Sequence, residues 1–503
     1  MTAARFYGCR RPRRFDRRRP VAPAAQPLQR FLALLAAVAL TGGALGCVRV
    51  PGAPVGPPAT SAAGKVTAAP EGVEALASAP LGSLTVRKWR LANGLSILTA
   101  PDPSARAISY VTAYNVGSRD EDGGQGETGL AHLCEHLMFT QTRGGHGSGE
   151  FDRRLEEMGG NGNATTDRDL TSYVDDVPAE ALDRTIALEA DRMVNLELTD
   201  AIVAAEREIV VEERLMTAED DIDGQLEELV YGQAFRSHPY RFPIVGRMAD
   251  IKAITKDRVT AFYRKHYGPD RALVIVVGRF DEASALSALA SAYGGLPASD
   301  TKATVIAPEN APSGEVRSII ERPVPGERIM LGYPSPALGD AARPSFDILD
   351  ELLAGGPSSR LYRALIVEQE LASSLETEVP TTRDPALWTV LVQMLKGHAA
   401  TEAETIVRRE LDKLSATPPA PAELEAARNR LETAFWTGLA ASQGRADALA
   451  QFELVAGDFR TLLNRGADYA RVTPDDVSRA ARSTLASGSR SVVVARPKGP
   501  QAP

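Results

Sequence analysis

Two histidines and a glutamate stand at metal-binding spacing in the segment Gly129 to Phe139. In an α-helix, His132 and His136 are one turn apart and share a face, with Glu135 beside them. Two imidazoles at this spacing suit zinc, which needs at least one more protein ligand and an open position for water. A carboxylate next to that open position can take the water's proton. The chain has 6 histidines in 503 residues, so the segment predicts a zinc site rather than a chance pair.

A third ligand is expected from the predicted helix Thr199 to Asp220. Five residues spaced four and three apart form one stripe along it: Ile202, Glu206, Ile209, Glu213 and Met216. A buried carboxylate is normally paired, hydrogen-bonded or bound to metal. The stripe therefore predicts Glu213 as the third zinc ligand, with Glu206 in support, whereas Glu212 lies about 100° around the helix. The alternative is that these glutamates form a solvated helix surface.

The elements around these residues follow an α+β pattern. Short strands are expected at Leu84 to Val86, Leu95 to Leu98 and Ile108 to Asn115, followed by long amphipathic helices and a strand at Ala272 to Val277. A second block with the same rhythm runs from Ser318 to Ala495. The sequence thus predicts two similar α+β units of about 200 residues.

The N-terminus has the features of an export signal. Arginines extend to Arg30, a ten-residue apolar run follows, and small residues lead to Cys47. Ala44 to Cys47 is similar to a bacterial lipoprotein box, which predicts lipidation of Cys47. The match is imperfect, because Ala44 and Leu45 stand in the reverse of the order that such boxes prefer. The alternative is ordinary signal-peptidase cleavage with Cys47 incidental. Either interpretation predicts an exported protein of the cell envelope, and a lipidated Cys47 predicts anchoring to the outer membrane, facing the periplasm.

The charge distribution excludes one class of partner. Nine arginines and one acid lie in residues 1–46, and the remainder of the chain has 48 basic and 64 acidic side chains, a net charge of −16. Affinity for nucleic acid comes mainly from lysine and arginine side chains that neutralise phosphates. We therefore expect no nucleic-acid binding.

The motif His132-x-x-Glu135-His136 is the inverted zinc motif, and the chain resembles the pitrilysin, insulinase and mitochondrial processing peptidase family. The resemblance extends over about residues 85 to 500 and includes Gly159-Gly160, His238-Pro-Tyr240 and the pattern Glu206-Arg-x-x-Val-x-x-Glu213. It implies a clamshell of two homologous units, each an antiparallel sheet covered by helices, and a zinc endopeptidase that cleaves peptides or unfolded segments.

The resemblance also implies roles for individual residues. It makes His132, His136 and Glu213 the ligands of one Zn²⁺ per chain, Glu135 the general base and Glu206 a supporting catalytic residue. The substrate would add as a strand beside Asn163, Ala164 and Thr165, with Phe139 as a further substrate-binding residue. A non-catalytic family scaffold and a peptide-binding or assembly subunit of an envelope complex are the alternatives.

With the family in view, the chain divides into five predicted parts. A signal peptide (1–46) is followed by a tether (47–82) rich in proline and alanine, and then by a zinc-containing peptidase domain (83–297). A linker (298–311) connects it to an inactive homologous domain (312–503).

One departure from the family pattern concerns the second half. Active relatives carry an arginine and, seven residues later, a tyrosine that reach the bound peptide, whereas this chain has Ile366 and Ser373. We therefore expect a related subunit that supplies the Arg/Tyr pair in a heterodimer. The alternative is that Arg360, Tyr362 or Arg363 does this work within one chain or a homodimer.

Overall fold

The computed structural model describes residues 69–143, 149–299, 306–307, 309, 314–486 and 488–498. The predicted signal segment and Cys47 lie outside the described residues, as does most of the predicted linker 298–311. No helix within the described ranges is long and apolar enough to span a membrane.

The first half is built on a seven-stranded sheet with the order β1-β2-β3-β7-β4-β6-β5. Its strands are β1 (Val73–Leu81), β2 (Leu84–Leu91), β3 (Ser96–Pro101), β4 (Ile108–Tyr114), β5 (Asn161–Thr166), β6 (Thr171–Val177) and β7 (Ala272–Gly278). Strands β4 and β7 are buried along their whole length, as expected for apolar runs covered on both faces. β3 and β7 pair in parallel, and the other neighbours are antiparallel.

Eight helices accompany this sheet within the described residues. They are α1 (Leu130–Leu137), α2 (Glu150–Glu157), α3 (Leu182–Val194), α4 (Asp200–Arg214), α5 (Ile222–Ala234), α6 (Met248–Ala253), α7 (Lys256–His266) and α8 (Glu282–Tyr293). The Thr199 side chain accepts a hydrogen bond from the Ile202 N–H and caps the start of α4. Beyond its end the chain continues in a π-helical turn, Leu215–Glu219.

The second half repeats the arrangement on a five-stranded sheet with the order β10-β11-β9-β12-β8. Its strands are β8 (Glu315–Arg322), β9 (Arg328–Ser335), β10 (Ala372–Glu378), β11 (Ala386–Met394) and β12 (Arg490–Pro497). Its helices are α9 (Arg343–Ala354), α10 (Arg360–Tyr362), α11 (Ala400–Ala416), α12 (Pro421–Gly438), α13 (Ser442–Ala450), α14 (Arg460–Arg471) and α15 (Pro474–Ala486), with π-helical turns at Arg363–Glu368 and Gln451–Val455. The predicted α+β class is confirmed, and each sheet contains one parallel pair, β8 with β12 in the second.

Each half covers one face of the other half's sheet. Leu449 on α13 is fully buried in a cluster with Val111 and Ile275 of the first sheet. In return, Leu226 and Val230 on α5 are buried against the second sheet. The two halves therefore share apolar cores, and neither sheet is covered by its own helices alone.

The predicted tether ends too late, because β1 lies within residues 47–82. Only Val73 and Leu81 of this strand are buried. The strand is held by its antiparallel backbone pairing to β2 at the edge of the sheet. Its exposed, mostly small side chains gave no hydrophobic alternation, which is why composition alone placed the boundary beyond it.

Candidate active site

Helix α1 carries the inverted zinc motif and is buried along its length. It begins after Gly129, whose φ of +94° and close packing favour glycine: a Cβ there would lie 2.7 Å from the Val245 carbonyl oxygen. The buried carboxylate of Glu121 accepts hydrogen bonds from the N–H groups of Gly129 (2.9 Å) and Ala131 (2.8 Å). Glu121 therefore fixes the start of the helix.

The three predicted ligands converge. One ligand atom from each of His132, His136 and Glu213 lies within 4.8 Å of the others. The Glu213 carboxylate oxygens are 3.6 Å from Nε2 of His132 and 3.3 Å from Nε2 of His136. These separations are close to the edge of about 3.4 Å that a tetrahedral zinc site with bonds of about 2.05 Å requires.

The protonation of His132 suits a ligand. Burial, with a contribution from the neighbouring His136, lowers the pKa of His132 to about 4, so its imidazole is neutral near pH 7. A neutral imidazole offers a ring-nitrogen lone pair to a metal. The donor set of two imidazoles and one carboxylate leaves room for a fourth ligand, as in catalytic zinc sites.

The structure also places the other two carboxylates that the sequence predicted. Glu206 is buried, and its carboxylate lies 3.7 Å from Nδ1 of His136, on the side of the ring away from Glu213. Glu135 is buried, which raises the pKa of its carboxyl to about 7. Glu212 is exposed, as predicted for a residue off the stripe.

The stripe itself was only partly correct. Ile209 and Met216 are 43% and 67% exposed, so the face is not the apolar one that the sequence suggested. The buried side of α4 instead presents Val203 and Val210. Glu206 and Glu213 lie at the border between the two sides, where they reach the histidines of α1.

The predicted substrate residues lie on strand β5. It is an edge strand: β6 pairs with one side of it, with Asn163, Ala164 and Thr165 opposite Val174, Tyr173 and Ser172. The other side of an edge strand can accept an extended peptide. Phe139 is partly buried, with its ring centroid 5.9 Å from that of Tyr173.

Sequence reasoning missed Thr166, which donates a hydrogen bond from Oγ1 to the Glu135 carboxylate at 2.5 Å. The signal was present in the alternation of β5. Side chains on a strand point to alternate faces. Ala164 and Thr166 are buried and Asn163 is exposed, so the residue just beyond the predicted set faces the site.

The second half presents no arginine and tyrosine at the two expected positions. Ile366 packs against a buried apolar cluster, and Ser373 is exposed. Arg360 donates two hydrogen bonds of 2.7 Å to the Glu423 carboxylate, which holds its guanidinium on α12. Arg363 pairs with Glu368 at 2.6 Å on the exposed surface.

Comparison with known proteins agrees with this geometry. Residues 96–247 match the family model described as insulinase (peptidase family M16), and residues 253–431 match the model described as the peptidase M16 inactive domain. The chain therefore belongs to peptidase family M16. It is a zinc protease of that family, with a His-His-Glu candidate metal site.

Individual relatives cover most of the chain. The chain is 28% identical to the zinc protease PqqE of Helicobacter pylori over 81% of its length and 92% of that protein's length. It is 25% identical to the β-subunit of the mitochondrial-processing peptidase of Blastocladiella emersonii, over 81% and 88% of the two chains. The crystal structure of a protease from Helicobacter pylori superposes with a TM-score of 0.78 at 27% identity, covering 82% of this chain and 99% of that one.

Proposed function

We propose that the protein is a zinc endopeptidase that hydrolyses peptides or unfolded protein segments, with one zinc ion per chain. The observation that carries this proposal is the convergence of three ligand side chains beside an unpaired strand edge. An extended peptide added to β5 gains main-chain hydrogen bonds with little dependence on its side chains. This mode of binding suits unfolded segments of varied sequence.

The residues around the metal divide the chemistry among them. When bound, zinc supplies Lewis acidity to the attacking water and the peptide carbonyl. Glu135 takes the proton from the water and passes it to the leaving amine, because its carboxylate lies beside the ligands without being one. Glu206, whose carboxylate lies 3.7 Å from Nδ1 of His136, would favour the ring orientation that directs Nε2 towards Glu213, where His136 would hold the metal.

Replacement of the base tests this proposal. Glu135→Gln should retain zinc and the fold but lower the hydrolysis of an unstructured peptide by at least about 10²-fold. The matched control is Glu212→Gln, an exposed change on α4 that should leave the rate unchanged. Near-normal turnover by Glu135→Gln, or turnover of the unaltered protein that survives a zinc chelator, would refute the assignment.

We further propose that a related subunit completes the site. The support is that Ile366 has no side-chain donor, that the short side chain of Ser373 donates to the Gln393 carbonyl at 3.3 Å, and that Arg360 is held by Glu423. A sister subunit with the Arg/Tyr pair would supply these donors in a heterodimer, and a homodimer is the other possible assembly. The test is the specific activity of the isolated chain before and after addition of the sister subunit. Full activity without it would exclude the heterodimer.

We also propose export to the cell envelope, with a lipid anchor on Cys47. The support is the arginine-rich start, the apolar run and the small residues before Cys47. Mass spectrometry of the mature N-terminus tests this proposal. A diacylated Cys47 is the expected result, and an unmodified N-terminus at another residue would contradict it.

A further inference from the structure

The three metal ligands and the proposed base are held in different ways. A bound ion would restrain the ligands that share it, whereas Glu135 must be oriented by the protein alone. Its carboxylate is buried and accepts a hydrogen bond from Oγ1 of Thr166. The position of Thr166 therefore sets the position of the carboxylate relative to the ligands on α1.

Thr166 is held in turn by its hairpin. It is the last residue of β5 and pairs with Thr171, the first residue of β6. Oγ1 of Thr171 lies 3.5 Å from Oγ1 of Thr166 and donates to the Val116 carbonyl at 3.0 Å. All three residues are buried, so the hydroxyl of Thr166 has few alternative positions.

The turn between β5 and β6 packs against the loop before α1. The N–H groups of Ser118 and Arg119 donate to the carbonyls of Asp167 (3.2 Å) and Arg168 (2.9 Å). Gly117 permits this approach, because a Cβ there would lie 2.5 Å from the Arg168 carbonyl. The turn is thus fixed on the side of the first half.

The second half also contacts this turn. The carboxylate of Asp169, in the turn, accepts hydrogen bonds from the backbone N–H of Arg383 (2.9 Å) and from the Tyr240 hydroxyl (2.6 Å). Asp384 then accepts from Nη2 of Arg119 at 2.6 Å and from Nε2 of His238 at 3.1 Å. Arg383 and Asp384 belong to the loop between β10 and β11 of the second half.

We propose that Thr166 is the positioning residue of the general base, and that the second half positions Thr166 through the β5–β6 turn. Arg383 contacts Asp169 of the turn directly, and Asp384 holds Arg119, whose Nη1 lies 3.3 Å from the Asp169 carboxylate. This inference rests on the proposed role of Glu135. Through these contacts, the half without metal ligands influences the position of the base. This effect is distinct from any contact that the second half makes with the bound peptide.

The second half contains a matched control for Thr166. There, Thr377 on β10 lies beside the carboxyl of Asp350 on α9, as Thr166 on β5 lies beside Glu135 on α1, and the Asp350 carboxyl accepts its hydrogen bond from Nε1 of Trp388 at 2.8 Å. Both threonines are buried. A substitution at Thr377 therefore removes an equivalent buried hydroxyl without touching the proposed base.

The first test compares Thr166→Val with Thr377→Val in the purified chain. Thr166→Val should lower kcat for an unstructured peptide by about 10-fold to 100-fold, with KM and zinc content unchanged. Thr166→Ser, which keeps the hydroxyl, should restore most of the rate, and Thr377→Val should leave kcat unchanged. If Thr166→Val does not fold, Thr166→Ala replaces it in the same comparison.

Normal kcat in the folded Thr166 variant, or no rescue by serine, would overturn the role of Thr166.

A second test compares Asp384→Asn with Asp102→Asn and measures the contribution of the second half. Asp102 is the control because it also pairs across the two halves, with Arg445 at 2.6 Å. Asp384→Asn should lower kcat and Asp102→Asn should not. Equal rates in these two variants would overturn the contribution of the second half. Loss of activity in Glu135→Gln but not in Thr166→Val would refute the inference and leave the proposed function intact.

Discussion

The two halves of the molecule share one strand order and differ in their chemistry. The order β3-β7-β4-β6-β5 of the first sheet recurs as β8-β12-β9-β11-β10 in the second, with the same parallel pair. In chain order, β4 and β9 are the second strands of the two repeats. A helix follows each of them, α1 after β4 and α9 after β9. The metal site therefore has a structural counterpart in the second half.

At that counterpart the ligands are replaced but their spacing is kept. Helix α1 carries His132, Glu135 and His136, and α9 carries Asp347, Asp350 and Glu351 at the same intervals. Glu213 of α4 faces the histidines, whereas Arg430 of α12 donates from Nε to Glu351. In the described part of the chain, His132, His136 and Glu213 form the one group with ligand atoms close enough to hold a metal.

At the position equivalent to Glu213 of the candidate metal site, the second half thus places an arginine that pairs with the helix α9 carboxylate. In the first half, three donors converge at a place where an external cation can bind. In the second half, the Arg430 guanidinium is itself the cation that neutralises Glu351. The same packing of two helices thus presents a candidate cation site in one half and an internal guanidinium in the other.

The largest expected effect comes from making the first site resemble the second. Glu213→Arg places a guanidinium beside His132 and His136, which should reduce the zinc content from one per chain to none and activity to background. Glu213→Gln should also lose zinc, and the exposed Glu212→Gln should keep it. Metal analysis of the purified variants provides the measurement. Full zinc in Glu213→Gln with loss in Glu212→Gln would reverse the ligand assignment.

A second prediction concerns the two positions of the second half, Ile366 and Ser373, where an arginine and a tyrosine were expected. The double substitution Ile366→Arg with Ser373→Tyr introduces the Arg/Tyr pair that the family resemblance leads us to expect in the second half. It should raise the kcat/KM of the isolated chain by about 10-fold or more, since one oxyanion donor contributes about 10²-fold to 10³-fold in other hydrolases. Steady-state kinetics on an unstructured peptide tests this, with the melting temperature as the control for folding. An unchanged rate in a folded variant would show that the pair is not the missing element.

A third change tests whether the two halves are separate units. Leu449 lies on α13 of the second half but is buried against the first sheet. Leu449→Ala should lower the free energy of unfolding by about 2–5 kcal/mol. The exposed Leu229→Ala on α5 should change it by less than about 0.5 kcal/mol.

Urea denaturation followed by tryptophan fluorescence measures this effect. Trp89 reports on the first sheet and Trp388 on the second. The third tryptophan, the exposed Trp436 on α12, is replaced by phenylalanine throughout, and Trp89→Phe or Trp388→Phe on that background leaves one signal at a time. Leu449→Ala should shift both transitions together. A shift confined to the signal from one sheet would show that the halves unfold independently.

Local signals in the sequence predicted much of the fold and the metal site. The uninterrupted apolar runs of β4 and β7 and the spacing of the motif on α1 are properties of short segments. Helix α5 was not predicted, because the surface that buries Leu226 and Val230 belongs to the other half of the chain. Glu213 was predicted from a stripe whose apolar members proved to be exposed, so the residue was correct and part of the reasoning was not.

The contacts that hold the base could not be predicted for the same reason. Thr166 reaches Glu135 across 31 positions of sequence, and Arg383 reaches Asp169 across 214. Hydrogen bonds over such separations depend on the folded arrangement of the sheets. The alternation of β5 indicates that Thr166 faces the buried side, but no periodicity within a segment reveals its partner Glu135.

The smallest effect is expected from removing the Arg430–Glu351 ion pair, which occupies the place of the metal site in the second half. Arg430→Met removes the cation beside Glu351, but the Arg430 side chain is 38% exposed and that of Glu351 is 16% exposed. Solvent screens such a pair, so its loss should lower the free energy of unfolding by at most about 1 kcal/mol. Zinc content should stay at one per chain and kcat should not change, because Arg430 contacts neither the ligands nor Glu135. Urea denaturation, metal analysis and peptide hydrolysis on the same preparation provide the three measurements. A second bound zinc in Arg430→Met would mean that the guanidinium had been excluding a metal from a site that was otherwise competent.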